Sequence, residues 1–318
     1  MSSSRAASLR QALSERVVIA DGAMGSMLQG VDLTLEDFQG HEGCNEILSV
    51  SRPDVLRSIH DAYFAVGVDC VETNTFGTNR TALGEYGLED RIFELAEAAT
   101  SIARASADSF STPERPRWVL GSAGGGTKLP SLGHMPYATV RDGYQAQVEG
   151  MISGGVDAVL VETSQDLLQA KAAVIGAKRA MAAAGADLPL IVEVTFETTG
   201  VMLIGSEIGA ALTALEPLGI DIIGLNCGTG PDLMTEHVRH LAKCAQIGIA
   251  CMPNAGLPIL TKDGSYYPLT PEQFVAAHET FIADFGLSLV GGCCGTTPEH
   301  LRQLVERVHG TVDRKSVV

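Results

Sequence analysis

Three of the seven cysteines stand in settings that the other four lack. Cys227 lies in Asn226-Cys227-Gly228, directly after the apolar run from Ile220 to Leu225, and Cys293 and Cys294 are adjacent within Gly291-Gly292-Cys293-Cys294-Gly295. Thiolates are soft, anionic ligands, and three of them on one rim would select zinc among the available divalent ions. Adjacent side chains on a strand point to opposite faces, so both sulfurs of a vicinal pair reach one ion only if the backbone curls. The flanking glycines tolerate such angles. With three protein ligands a tetrahedral ion keeps one position open, as catalytic rather than structural sites do. A strained vicinal disulfide and two small buried apolar residues are the bland alternatives. Cys44, Cys70, Cys244 and Cys251 read as buried or incidental thiols. His237 and His240 share a helix at i, i+3 and are expected on its solvated face.

A free thiol titrates near pH 8.5 and is mostly protonated at neutral pH, whereas coordination to zinc removes its proton. Three anionic sulfurs over-neutralise the ion, so a fourth thiolate arriving there would keep much of its electron density. The chemistry expected is activation of a thiol substrate for attack on an electrophilic carbon. Activation of water is the competing use, and a histidine-rich shell suits it better. Asp21 and Glu162 end two other apolar runs, where an unpaired charge is costly. A substrate ammonium would offset that cost, and the bare backbone at Gly22 could approach a substrate carboxylate. Together these features point to an α-amino acid, with hydrogen bonding to loop backbone as the structural alternative for both acids. Glu72 has the stronger structural alternative, pairing inside the fold.

These residues converge only if the chain brings its strand ends together. Short Val/Ile-rich runs occur at 17–20, 68–71, 118–120, 156–161, 190–194, 220–225, 247–252 and 287–290. Each ends in glycine or polar residues and is followed by a helical stretch, which is the pattern of buried parallel strands. Thr270-Pro271-Glu272 and Thr297-Pro298-Glu299 read as helix starts with Thr as N-cap and Pro at the first turn. Gly286 and Gly310 stand where those helices should stop. Eight such units predict an α/β fold of the (β/α)8 TIM-barrel type rather than an open doubly wound sheet. Asp21, Glu72, Thr75, Glu162, Cys227, Asn254, Cys293 and Cys294 would then surround one mouth. One barrel domain is expected over 1–318, with a short N-terminal extension over about 1–15 and a tail over about 311–318. No internal repeat or linker is evident, and the Gly-rich stretch from Ser122 to Arg141 reads as a long functional loop.

Composition narrows the function further. The 318 residues carry 22 basic and 38 acidic side chains, a net charge of −16, which argues against nucleic-acid or anionic-membrane surfaces. No apolar run reaches the roughly 20 residues of a membrane span. The polar start from Met1 to Arg16 has no apolar signal core, and the odd number of cysteines suits reduced thiols, so a cytoplasmic protein is expected. No phosphate-cradling loop with a suitable lysine stands out.

Several of these segments, in order, resemble the homocysteine S-methyltransferase family: Asp21-Gly22-Ala23-Met24-Gly25, Glu72-Thr73-Asn74-Thr75-Phe76, Glu162-Thr163, Asn226-Cys227, Pro253-Asn254-Ala255-Gly256-Leu257-Pro258 and Gly291-Gly292-Cys293-Cys294-Gly295-Thr296-Thr297-Pro298. The likeness runs from about residue 15 to 310 and is nearest to the homocysteine-binding modules of the cobalamin-dependent methionine synthases. It implies one zinc ion per chain on Cys227, Cys293 and Cys294, which would act catalytically through the metal. It further implies that the thiol is L-homocysteine and that the product is methionine. Asp21, Gly22, Thr75 and Glu162 match positions that hold the amino-acid end. Asn254 is expected to approach the zinc when homocysteine is absent. Methylcobalamin is the implied methyl donor, bound by another module of a longer chain or by a separate protein. No Asp-x-His-x-x-Gly cobalamin-ligand pattern occurs in this sequence, and Ser122 to Thr127 is more glycine-rich than that family loop. A stand-alone enzyme using S-methylmethionine or betaine, and a zinc- and thiol-binding module inert by itself, remain the alternatives.

Overall fold

The computed structural model describes residues 2–262 and 264–311, so the expected tail lies, from residue 312 on, outside the described residues. Eight parallel strands form the expected barrel: β1 (Val18–Ile19), β2 (Cys70–Glu72), β3 (Trp118–Ala123), β4 (Ala158–Ser164), β5 (Leu190–Val194), β6 (Ile222–Asn226), β7 (Gly248–Met252) and, after a hairpin, β10 (Leu289–Val290). The hairpin is β8 (Ile259–Thr261) paired antiparallel with β9 (Gly264–Tyr266), in the segment that follows β7. Ladder pairing runs from β2 through β7 to β10 and β1. Asp69 nearly closes the ring: its N–H donates to the Ile19 carbonyl at 2.7 Å, and its carboxylate accepts the Ile19 N–H at 2.9 Å.

Both faces of the strands are buried, which is why the runs are continuously apolar rather than alternating. Inward positions, among them Trp118, Leu120, Leu160, Ile191, Ile222 and Met252, pack into one cluster inside the barrel. Outward positions meet the surrounding helices. The two predicted helix starts are present, with reciprocal capping hydrogen bonds between Thr270 and Gln273 and between Thr297 and His300.

The segment read as an extension folds as the helix Ser2–Glu15, and its Leu9 and Leu13 close the bottom of the barrel interior. Three acids beneath the strands hold it. Asp157 pairs with Arg5 at 2.8 Å, Asp221 with Arg10 at 3.2 Å and Asp69 with Arg16 at 2.7 Å. Each carboxylate also accepts a backbone N–H of the preceding strand segment, from Val119, Leu190 and Ile19. They occur in Gly67-Val68-Asp69, Gly155-Val156-Asp157 and Gly219-Ile220-Asp221, with each glycine in the left-handed conformation that ends a helical turn. The chain therefore carries a short internal repeat that the sequence reading overlooked.

Candidate metal and substrate site

The three singled-out cysteines do converge. Their sulfurs all lie within 4.8 Å of one another, and Cys227 Sγ stands 3.8 Å from Cys294 Sγ. Those separations and the soft donor set fit a single zinc ion held by three thiolates. Cys227 reaches the cluster because its φ of 56° turns the chain sharply off the end of β6. This left-handed conformation is uncommon outside glycine, and such strain gathers at functional sites. The Cys293–Cys294 turn is tied to two neighbouring loops. Cys293 N–H donates to the Pro253 carbonyl at 2.9 Å, and Cys294 N–H donates to Asn254 Oδ1 at 3.0 Å. Of the three glycines expected to free this turn, Gly295 takes a positive φ, while Gly292 is needed for space because a Cβ there would collide with Thr296.

Proton sharing among the three thiols is unequal. Cys294 is pulled down to about 3 by hydrogen bonds from Cys227 and Cys293, whereas Cys227 is pushed up to about 12 and Cys293 is also raised well above the usual thiol value. In physical terms, one thiolate is stabilised by two neighbouring S–H donors.

Carboxylates face the sulfurs across a cavity of about 290 Å³, lined by Glu46, Glu72, Glu162, Thr73, Ser122, Thr163 and the three cysteines among others. A shift of register in β4 between Val161 and Ser164, with Thr163 at a φ of 52°, aims Glu162 into this space. Ser122 and Thr163 hydroxyls and Asn226 Nδ2 all donate to the Glu162 carboxylate, the last at 3.0 Å. Asn226 Nδ2 also lies 4.0 Å from Cys293 Sγ, so one amide spans the acidic and sulfur halves. No lysine or arginine lines the cavity among the described residues. Burial without a cation drives the acids toward their neutral forms. Glu162 rises to about 7, pushed by desolvation and by the charge of Cys294, and Glu72 and Asp21 rise well above the usual carboxylate range through desolvation and the charge of neighbouring carboxylates. Glu193 lies deeper in the barrel, fully buried, with both carboxyl oxygens lacking a hydrogen-bond partner, and it too is raised.

The remaining expected residues stand just behind this lining. Asp21 is buried and accepts the Glu72 N–H at 3.0 Å. Thr75 is fully buried and donates to the Ser122 carbonyl at 2.6 Å. Gly22 packs so closely on Thr296 that a Cβ would collide with its hydroxyl, which makes the glycine a requirement of the loop itself. Asn254 holds the Cys294 N–H. His237, expected on a solvated face, instead stacks on Phe196 at 4.1 Å, because the helix Pro231–Cys244 turns that edge toward the segment after β5. Sequence reading missed Ser122, Asn226, Glu193 and Tyr267. For the first three the available signal was a polar residue at an inward position of a buried strand.

The family model for homocysteine S-methyltransferase matches residues 18–308. The chain belongs to the homocysteine S-methyltransferase family. It is 59% identical over 300 residues to the methionine synthase of Mycobacterium tuberculosis (strain ATCC 25618 / H37Rv), covering 94% of this chain and 25% of that protein. The methionine synthase of Mycobacterium leprae (strain TN) is 58% identical over 310 residues, with 96% and 26% covered. This family chain thus spans about a quarter of the length of the curated relatives it matches. Among solved structures, the metallated homocysteine methyltransferase MmuM of Escherichia coli shares the fold, with a TM-score of 0.73 at 19% identity over 92% of this chain and 96% of that one. No helix among the described residues is long and apolar enough to cross a membrane.

Proposed function

We propose that this chain binds L-homocysteine and presents its sulfur for methylation, giving methionine, as the homocysteine module of a cobalamin-dependent methionine synthase. The observation that carries the reading is the pairing of a three-thiol cluster with a cation-free acidic pocket across one small cavity. Cys227, Cys293 and Cys294 would hold zinc, which when bound supplies a Lewis acid that keeps the substrate sulfur as a thiolate at neutral pH. Glu162 takes the substrate ammonium, with Asn226, Ser122 and Thr163 fixing its carboxylate. Glu72 hydrogen-bonds Glu162 and Asp21 accepts the Glu72 N–H, so both shape the pocket's charge from behind. Thr75 and Gly22 set the loops that receive the substrate carboxylate, and Asn254 orients Cys294 by accepting its N–H. The methyl donor in this reading is methylcobalamin carried by another module. Exposed apolar side chains on the segments after the strands, including Phe76, Leu132, Leu203, Leu257 and Leu260, give a large carrier something to rest on.

The test combines three measurements on reduced protein. Metal analysis should find one zinc per chain, and calorimetry should detect homocysteine binding that depends on zinc. Free methylcobalamin should then be demethylated with formation of methionine. Turnover with S-methylmethionine or betaine and no cobalamin would overturn the donor, and binding without transfer from any donor would overturn the catalytic role.

A further inference from the structure

We propose that Thr296 sets the length of thiol amino acid that the site accepts, by fixing the distance between the loop that takes the carboxylate and the turn that carries Cys293 and Cys294. The inference rests on the homocysteine reading above. A substrate held at both ends is measured by the gap between its two anchors. Cysteine and homocysteine differ by one methylene, which moves the sulfur by about 1.5 Å, one carbon–carbon bond. A gap free to drift by that much would favour neither chain. The two walls concerned, residues 23–26 after β1 and the turn of Cys293 and Cys294 after β10, lie far apart in sequence and line the same cavity. Something has to hold one against the other.

Thr296 is placed to do so. It is fully buried, and its hydroxyl donates to the Cys293 carbonyl at 2.6 Å and accepts the Ala23 N–H at 3.4 Å, so one side chain touches both walls from behind. Gly22 and Gly292 flank that hydroxyl, and a Cβ on either would come within 2.4 Å of it. Neither glycine takes a positive φ, so backbone freedom does not account for them, whereas close approach to Thr296 does. Two further ties turn the contact into a clamp. Gly292 N–H donates to the Asp21 carbonyl at 3.0 Å, and Gly295 N–H donates to Ser26 Oγ at 3.0 Å. Thr296 is itself held, because the Tyr63 hydroxyl of helix Pro53–Val66 donates to its carbonyl at 3.3 Å and Thr297 caps the helix Pro298–Val308. The Cys293 carbonyl also accepts the Thr296 N–H at 3.1 Å, so loss of the hydroxyl loosens the walls without stranding that carbonyl.

The experiment measures, by calorimetry on zinc-loaded protein, the affinities for L-cysteine, L-homocysteine and the homologue one methylene longer, 2-amino-5-sulfanylpentanoate. Wild-type protein should favour homocysteine over either neighbour by about tenfold or more, the worth of one methylene in a fixed site. In Thr296→Val, which keeps the shape and loses the hydroxyl, that preference should fall by about tenfold, whereas Thr296→Ser should keep it within about twofold. Thr296→Ala removes the hydroxyl with less bulk beside Gly22 and Gly292 and should repeat the result of Thr296→Val. Hydrogen exchange on metal-free protein gives a second readout: the Ala23 amide should exchange about tenfold faster in Thr296→Val than in wild-type protein. Absence of the preference in wild-type protein, its survival in both hydroxyl-free variants, or an equal loss of affinity for all three thiols overturns the proposal. So does a loss in Thr296→Ser as large as in Thr296→Val, or unchanged exchange at Ala23. Failure of wild-type protein to bind zinc or homocysteine would instead strike the functional reading, and exchange at Ala23 would still decide whether Thr296 ties the two walls.

Discussion

At the N-terminal end of the barrel, Asp69 and Asp157 are fully buried and each meets an arginine as well as a backbone N–H. At the C-terminal end, Glu72 and Glu162 line a cavity that no cation among the described residues lines, with the buried Asp21 and Glu193 behind them. The same chemical group thus has opposite standing at the two ends. Below, each carboxylate is neutralised within the chain and ties helix Ser2–Glu15, or Arg16 just after it, to the strands. Above, charge is held back by protonation because the cation is missing from the protein. Acids paired with arginines belong to the scaffold, and the set without a cation is the one that the proposed substrate ammonium would answer.

The sharpest way to break this contrast is at the three cysteines proposed to hold zinc. Cys227→Ala, Cys293→Ala and Cys294→Ala should each bring zinc content and methyl transfer to background while the far-ultraviolet circular dichroism of the barrel is retained. A variant that keeps full zinc stoichiometry and activity removes its cysteine from the site. Next in size is Asp157→Asn at the lower end, which takes the charge partner from Arg5 at 2.8 Å and from the buried Arg104, leaving Arg104 only Asp108 at 2.9 Å, and should cost about 3–5 kcal/mol in urea unfolding. The corresponding change above, Glu193→Gln, should shift unfolding by less than about 1 kcal/mol, since a neutral amide replaces a carboxyl already kept neutral. Equal losses at both ends would erase the distinction.

Glu162→Gln sharpens it from the ligand side. Homocysteine affinity should drop by about a hundredfold for the lost ion pair, as measured by calorimetry. Binding of 4-mercaptobutanoate, which lacks the amino group, should change much less. The smallest effect is on pH dependence. Glu162 titrates near 7 in the folded protein against an ordinary value of 4.5, so the folded state holds the extra proton in between. This group's contribution to stability is complete below pH 4.5 and is lost as pH rises through about 7. The thermal midpoint of metal-free wild-type protein should therefore fall relative to Glu162→Gln across that interval, by a few degrees.

Much of this was legible before any coordinates. All eight barrel strands fall on the Val/Ile-rich runs, and both Thr-Pro helix starts carry their caps, because burial on both faces and capping are local demands that composition must meet. Cys227, Cys293 and Cys294 could be singled out because each sits at a strand end beside glycine. Asp69, Asp157 and Asp221 were readable as a repeated Gly-Val/Ile-Asp and were passed over, since three residues at wide spacing make a faint pattern. Asn226 and Ser122 are harder, as their importance comes from what stands opposite. Tyr267 was invisible: its hairpin is a short insertion after β7, with no periodicity to mark where its side chain would go.

The sequence by itself determined the barrel, the three cysteines that converge and the acidic character of the pocket, because each depends on residue type and on position along a strand. Only the tertiary structure decided which acids are answered by arginines and which are not, and how closely the three sulfurs approach one another. Those outcomes depend on a few ångströms between segments that lie far apart in the chain. The free energy of a charge or a hydrogen bond changes steeply over that range, while the local pattern of residues does not record it.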